Sequence, residues 1–143
     1  MKSALKQLYS RLILERQKNP IGFEKRENAQ IVLEAYNPVC GDQFKLYLDL
    51  DDQTIKKASY YGYGCALSKA ATSLLIEGLR GKTVQESKQF IESYLKNLEH
   101  NMEGQPEIYR ALAIAKNFPG RKQCTTLTWD EVSKYINDKY PNF

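Results

Sequence analysis

Phe44-Lys45-Leu46-Tyr47-Leu48-Asp49-Leu50 alternates between two kinds of side chain: Phe44, Leu46, Leu48 and Leu50 fall on one face, Lys45, Tyr47 and Asp49 on the other. A period of two is that of an extended strand with one buried face. Asp51-Asp52-Gln53 follows as a turn, and Thr54 to Tyr61 reads as the returning strand. Upstream, Gln30 to Tyr36 carries Ile31-Val32-Leu33 and supplies a third strand. Three consecutive strands predict an antiparallel meander, and its one apolar face needs a cover from elsewhere in the chain.

Helical periodicity on both sides of the meander supplies that cover. Downstream, Leu67, Ala70, Ala71, Leu74 and Leu75 form a helical stripe that ends near Gly78–Gly81. Thr83-Val84-Gln85-Glu86 has the spacing of a capping box and opens a second helix with Phe90, Ile91, Tyr94, Leu95 and Leu98 inward. Residues 100–106 read as a loop, Glu107 to Asn117 as a helix, and Phe118-Pro119-Gly120 as its break. A last helix is expected to begin just after Cys124 and to bury Trp129, Val132 and Ile136. Upstream, Leu5, Leu8, Tyr9, Leu12 and Ile13 mark a helix over residues 3–18, stopped by Asn19-Pro20-Ile21-Gly22, and residues 23–29 read as a polar linker. The expected fold class is α+β: an N-terminal helix, then a three-stranded antiparallel sheet with helices packed on one face, all within one domain over residues 1–143.

Composition excludes several function classes. The chain is 42% hydrophobic and 27% charged, the balance of a globular domain. No apolar run approaches the ~20 residues that a membrane span needs. The opening Met1-Lys2-Ser3-Ala4-Leu5-Lys6 lacks the apolar core of a signal peptide, so a cytoplasmic location is expected. The net charge of +4 is mild and the basic residues are scattered, which argues against a nucleic-acid partner.

The residues that bear chemistry are three cysteines and a carboxylate. Asn37-Pro38-Val39-Cys40-Gly41-Asp42 puts a thiol, a turn glycine and an acid in succession. Cys65 ends a glycine-flanked turn, Gly62-Tyr63-Gly64-Cys65, and Cys124 follows Arg121-Lys122-Gln123. Three cysteines cannot all pair within one chain. Cys65 and Cys124 are each expected just before a helix, where free N–H groups favour a thiolate. If the three loops meet, gathered thiolates need a cation, and zinc or an iron–sulfur cluster both accept such ligands; three small buried cysteines with no common role is the plainer alternative. His100 reads as a surface residue, Asp51-Asp52 as a hairpin turn, Tyr60, Tyr61 and Tyr63 as strand packing, and Lys69 as a solvated lysine one turn beyond Cys65.

At these residues the chain resembles the U-type iron–sulfur cluster assembly proteins, the IscU/SufU family with its SufE/NifU-like fold. The matching pieces are Asn37 to Asp42, Gly62-Tyr63-Gly64-Cys65-Ala66-Leu67-Ser68-Lys69-Ala70, and Arg121-Lys122-Gln123-Cys124, within a likeness from about Tyr36 to Trp129. The stretch from Thr83 to Pro106 and the run Cys124-Thr125-Thr126-Leu127-Thr128-Trp129 resemble the SufU branch. Gln123 stands where the scaffold branch has a histidine and where SufU proteins often have a lysine, so it departs from both. The resemblance implies zinc held by Cys40, Asp42, Cys65 and Cys124. It implies that Cys40 accepts persulfide sulfur from a cysteine desulfurase, a pyridoxal phosphate enzyme, for downstream iron–sulfur assembly proteins. It places Arg121 at the partner contact. The competing role it implies is a scaffold on which a [2Fe–2S] cluster is assembled.

Overall fold

The structure, a computed structural model, describes residues 11–114, 118 and 120–143. The expected helical positions Leu5, Leu8 and Tyr9, and the end of the helix expected to reach Asn117, lie outside the described residues.

The described elements run α1 (Arg11–Lys18), β1 (Ile31–Asn37), β2 (Asp42–Asp51), β3 (Thr54–Tyr63), α2 (Ala66–Leu79), α3 (Val84–Glu99), α4 (Glu107–Ala113) and α5 (Lys122–Lys139). The three strands form one antiparallel sheet in the order β1-β2-β3. As the alternation of β2 requires, Phe44, Leu46 and Leu48 are buried in the main core with Ala58 and Tyr60 of β3. α2 and α5 cover this face, and their helices are tied together by a buried Thr72–Thr128 hydroxyl pair at 2.9 Å and by the Trp129 indole, which donates to the Ala71 carbonyl at 2.9 Å. Trp129 also stacks on Tyr94 of α3 with ring centroids 3.5 Å apart, which brings a third helix into the same core.

Local chemistry explains the element ends. Asp52 and Gln53 adopt φ of 50° and 66°, the left-handed pair of a two-residue hairpin, so the meander turns here without a glycine. The capping box forms: Thr83 Oγ1 accepts from the Glu86 amide at 3.1 Å, and Glu86 accepts from the Thr83 amide at 2.9 Å. α1 ends at Lys18 as expected, and its Ile13 is fully buried.

Three expectations change. Residues 23–29 are more than a linker. Phe23 bridges to Tyr60 in parallel, Gly22 and Glu24 exchange backbone hydrogen bonds with Tyr60 at 2.8 Å, and Arg26 reaches Asp49 across the second face of the sheet. That face is therefore partly covered, and Tyr47 and Ser59, which are cross-strand partners on it, are buried at 3% and 2% exposure. Secondly, β3 continues through Gly62 and Tyr63, so these residues are strand rather than turn. Thirdly, α5 starts at Lys122, before Cys124, because the positive φ of Gly120 (80°) completes the chain reversal in time for the helix to begin three residues earlier than expected.

Among the described residues, no helix is long and apolar enough to cross a membrane.

Candidate functional site

The site forms where the β1–β2 turn, the end of β3 and the start of α5 meet. Asn37 and Asp42 face each other as the last pair of the β1–β2 ladder. The Gly41 amide closes the turn on the Asn37 carbonyl at 2.7 Å, and the Asn37 side chain accepts from the Val39 amide at 3.1 Å. Gly41 takes φ of 77°, a value that its lack of Cβ permits. This reversal leaves Cys40 exposed and sends Asp42, at 1% exposure, into the protein.

Cys65 is the N-cap of α2, as the glycine-flanked motif suggests: its sulfur accepts from the Ser68 amide at 3.4 Å. Its own amide donates to Asp42 Oδ1 at 3.2 Å, and the Ser68 hydroxyl lies 3.3 Å from the same oxygen. Ser68 thus joins the carboxylate to the thiol loop. Sequence reading passed over this residue, although its place at the third position of a helix capped by Cys65 carries the signal. Gly64 is required here because a Cβ would stand 2.4 Å from Ser68 Oγ and 2.6 Å from Phe44 Cζ.

Cys124 lies in the first turn of α5, with its amide bonded to the Arg121 carbonyl at 3.0 Å. Its thiol is buried and lies 3.9 Å from the thiol of Cys40, which also points at the Gly120 carbonyl at 3.5 Å. The ligand atoms of Cys40, Asp42 and Cys124 all lie within 4.8 Å of one another. Cys65 is outside this tight set, its sulfur engaged in capping α2, but its amide donates to the same Asp42 carboxylate. Interaction with the Cys124 thiol, ahead of the Ser68 contacts, pulls the Cys65 thiol down to about 5, while the same interaction and burial push the Cys124 thiol up. The structure therefore brings all three cysteines and the carboxylate to one place, three of them as a compact set and the fourth at its side.

The donor set fits a zinc ion. Tetrahedral zinc with Zn–S bonds of about 2.3 Å sets its sulfurs about 3.8 Å apart, close to the 3.9 Å between Cys40 and Cys124. Asp42 Oδ2 is buried and has no hydrogen-bond partner, while Oδ1 is occupied by Cys65 and Ser68. A buried carboxylate oxygen without a donor is costly unless a cation faces it.

The other residues singled out from the sequence take ordinary places. Arg121 is the N-cap residue of α5, beside the Gly120 carbonyl that faces Cys40. Gln123 is exposed and lines a shallow pocket with Asn37 and Asp130. Lys69 turns from the thiols to lie over the Phe23 ring at 5.7 Å. His100 is the exposed C-cap of α3. Of the three tyrosines, Tyr60 is fully buried, whereas Tyr61 stacks on Phe23 at the surface and Tyr63 is 73% exposed. Tyr36 and Tyr63 each pair with Gln43, so with exposed Val39 they border the Cys40 turn with apolar surface.

Comparison with known proteins gives the family and the fold. The profile of the NifU-like N terminal domain matches residues 8–140. The chain is 33% identical to the iron-sulfur cluster assembly scaffold protein IscU of Thermotoga maritima, over 92% of this chain and 94% of that protein. It is 29% identical to the zinc-dependent sulfurtransferase SufU of Bacillus subtilis, over 90% of this chain and 89% of that one. Among solved structures it is similar to a SUF-system scaffold protein from Fervidobacterium islandicum AW-1, with a TM-score of 0.75 and 32% identity over 92% of this chain and 98% of that chain. A NifU-like N-terminal protein from Brucella abortus, 19% identical, shares the fold with a TM-score of 0.78 over 98% of this chain and 99% of that chain.

Proposed function

The chain belongs to the NifU-like N terminal domain family, with the IscU and SufU iron–sulfur cluster assembly proteins, and within it we propose that this member is a zinc-dependent sulfurtransferase. In this reading Cys40 accepts persulfide sulfur from a cysteine desulfurase and hands it to cluster assembly. The observation that carries the reading is the contrast between an exposed Cys40 thiol and the buried Asp42 and Cys124 with which it is grouped. An acceptor must be reachable by a partner while its neighbours stay fixed.

Zinc would be held by Cys40, Asp42, Cys65 and Cys124, and it would keep their sulfurs deprotonated at neutral pH. The chemistry asked of Cys40 is thiol exchange. Its thiolate attacks the terminal sulfur of the desulfurase persulfide; a new S–S bond forms, the old S–S bond breaks, and the desulfurase cysteine leaves as a thiolate. Access decides the rate of such exchange. The exposed border of Tyr36, Val39 and Tyr63, with Arg121 at the foot of α5, is the proposed contact for the desulfurase.

Support for zinc comes from the orphaned Asp42 oxygen and from the similarity to a protein described as a zinc-dependent sulfurtransferase. A second reading has its own support: the similar protein of Thermotoga maritima is described as a scaffold, and three thiols with a carboxylate also suit a [2Fe–2S] cluster. Gln123 in the place of a histidine favours the first.

The test is desulfurase turnover, measured as sulfide or alanine release, with and without this protein. Wild type is expected to stimulate turnover and Cys40→Ala to abolish that stimulation. Normal stimulation by Cys40→Ala would remove Cys40 as the acceptor. Visible absorption after anaerobic reconstitution, with iron and sulfide in equal amounts, would favour the scaffold.

A further inference from the structure

The three cysteines differ in what can reach them. Cys40 is exposed, Cys65 is half-buried and Cys124 is buried. Oxidation of thiols follows exposure and thiolate character, so a dissolved peroxide meets Cys40 first. A cysteine oxidised to a sulfenic acid is trapped as a disulfide when a second thiol stands within reach. The thiol facing Cys40 is that of Cys124, with the two sulfurs 3.9 Å apart.

Cys65 is held out of this pairing. Its sulfur accepts from the Ser68 amide at 3.4 Å and lies 3.6 Å from the Ser68 hydroxyl, and it stands outside the compact set of Cys40, Asp42 and Cys124. To bond to Cys40 it would have to give up the cap of α2, a cost that Cys124 does not carry. Closing the gap between Cys40 and Cys124 to a disulfide of about 2.05 Å takes a movement of roughly 2 Å. The turns on either side have room for it. A Cβ on Gly41, next to Cys40, or on Gly120, in the reversal before Cys124, would meet nothing within 4 Å, so neither turn is wedged against a neighbour there.

We propose that Cys40 and Cys124 form a reversible redox switch, closed to a disulfide by hydrogen peroxide and reopened by a dithiol. The Cys40 sulfur attacks one peroxide oxygen; an S–O bond forms, the O–O bond breaks, and the thiol proton leaves with the other oxygen as water. The Cys124 sulfur then attacks the Cys40 sulfur; an S–S bond forms, the S–O bond breaks, and the hydroxide leaves with the Cys124 proton as a second water. Two thiols lose two electrons and one peroxide gains them. Exchange with a dithiol returns both thiols and leaves the dithiol oxidised. The bridge takes up the acceptor thiol and two sulfurs of the proposed zinc site, so it stops sulfur acceptance and frees the metal in one step. That consequence rests on the sulfur-transfer reading, whereas the bridge rests on the geometry of the two cysteines alone.

The test is to titrate the purified full chain with hydrogen peroxide, then count its free thiols and map its disulfides by mass spectrometry of unreduced digests. Free thiols are expected to fall from three to one, with Cys40 joined to Cys124 inside one chain and Cys65 left free. Dithiothreitol should restore all three. Cys65→Ser keeps a good capping side chain and should form the same bridge, while Cys40→Ala should keep both its thiols at the dose that closes wild type. The switch is overturned if the main bridge contains Cys65 or joins two chains, if Cys40 passes to a sulfinic acid without bridging, if Cys40→Ala loses its thiols at the same dose, or if dithiothreitol does not reopen the bridge. Zinc content and desulfurase stimulation, read on the same wild-type samples before oxidation, judge the other reading. A protein that forms the bridge yet held no zinc and stimulated no desulfurase would end the sulfur-transfer reading and leave the switch standing.

Discussion

Cys40 and Cys124 are separated by 84 positions in the chain, yet their sulfurs lie 3.9 Å apart. The distance is far too long for a disulfide, whose sulfurs bond at about 2.05 Å, and it is close to the edge of a tetrahedral zinc–sulfur site. Nothing local produces it. The turn at Gly41 sets Cys40, the reversal at Gly120 sets Cys124, and the packing of α5 on α2 and the sheet brings the two together. The stability of that packing therefore controls the geometry of the site.

Gly62 is the most demanding backbone position near the site. Its φ is 150°, and a Cβ there would stand 2.1 Å from the Gln43 carbonyl oxygen and 2.8 Å from Phe44 Cα. Both are backbone atoms in the ladder just beside Asp42. Gly62→Ala should cost at least about 2 kcal/mol, beyond the loss usual for a surface substitution. It should also lower metal affinity, because it pushes β3 away from β2 between Asp42 and Cys65. Urea unfolding and a zinc competition titration read the two effects, and an unchanged midpoint would contradict the packing described here.

Trp129 links the site-bearing helix to the rest of the core. It is fully buried, stacks on Tyr94 and donates to the Ala71 carbonyl. Trp129→Ala should destabilise the protein by about 3–5 kcal/mol. Trp129→Phe keeps most of the ring area and loses the bond to Ala71, so a cost of about 1–3 kcal/mol is expected. Denaturant unfolding followed by circular dichroism checks both. Equal losses for the two variants would show that the hydrogen bond, rather than the burial, holds α5 in place.

Tyr60 gives the fold a characteristic response to alkali. Burial pushes its hydroxyl up to about 12. In the unfolded chain the same group ionises near its ordinary value of about 10. Between these values the unfolded state binds fewer protons than the folded one, so stability must fall as pH rises through this window. Below pH 10 both states are protonated and Tyr60 contributes no slope. Unfolding midpoints from pH 9 to pH 11.5 should therefore decline above pH 10, and Tyr60→Phe should make the decline shallower, the remainder belonging to Tyr94, Tyr109 and Tyr135, whose hydroxyls burial also pushes up. A variant with the same slope as wild type would place the titration elsewhere.

The sheet was legible in the sequence because its signals are local. The alternation from Phe44 to Leu50 is a period-two pattern, and the strand it predicts is present with the expected face buried. Thr83 and Glu86 announce the start of α3 through a spacing that the backbone itself dictates. Cys65 was recognised before a helix for the same reason, and it caps α2. What stayed hidden depends on contacts between distant segments. Residues 23–29 are polar because they run over the surface of the sheet, where Arg26 meets Asp49, and polarity alone does not distinguish that course from a linker. Gly62 reads as a turn residue, whereas its role is to let β3 approach Gln43. Cys124 lies inside α5, because the reversal at Gly120 lets the helix begin at Lys122. The convergence of Cys40, Asp42 and Cys124 was expected from motifs and is realised in space, while the capping role of Cys65 sets it slightly apart from the other three.

The central claim is that these side chains hold one zinc, and Asp42→Asn examines it with little change of shape. The amide retains an oxygen for the Cys65 amide and the Ser68 hydroxyl and replaces the unpartnered Oδ2 with an NH₂ group, which cannot be a ligand. Elemental analysis of wild type and Asp42→Asn, purified side by side, should find about one zinc per chain in the first and a clear loss after mild chelation in the second. Wild type without zinc, or a variant that keeps its zinc as firmly as wild type, would contradict the four-ligand site and the sulfur-transfer mechanism built on it.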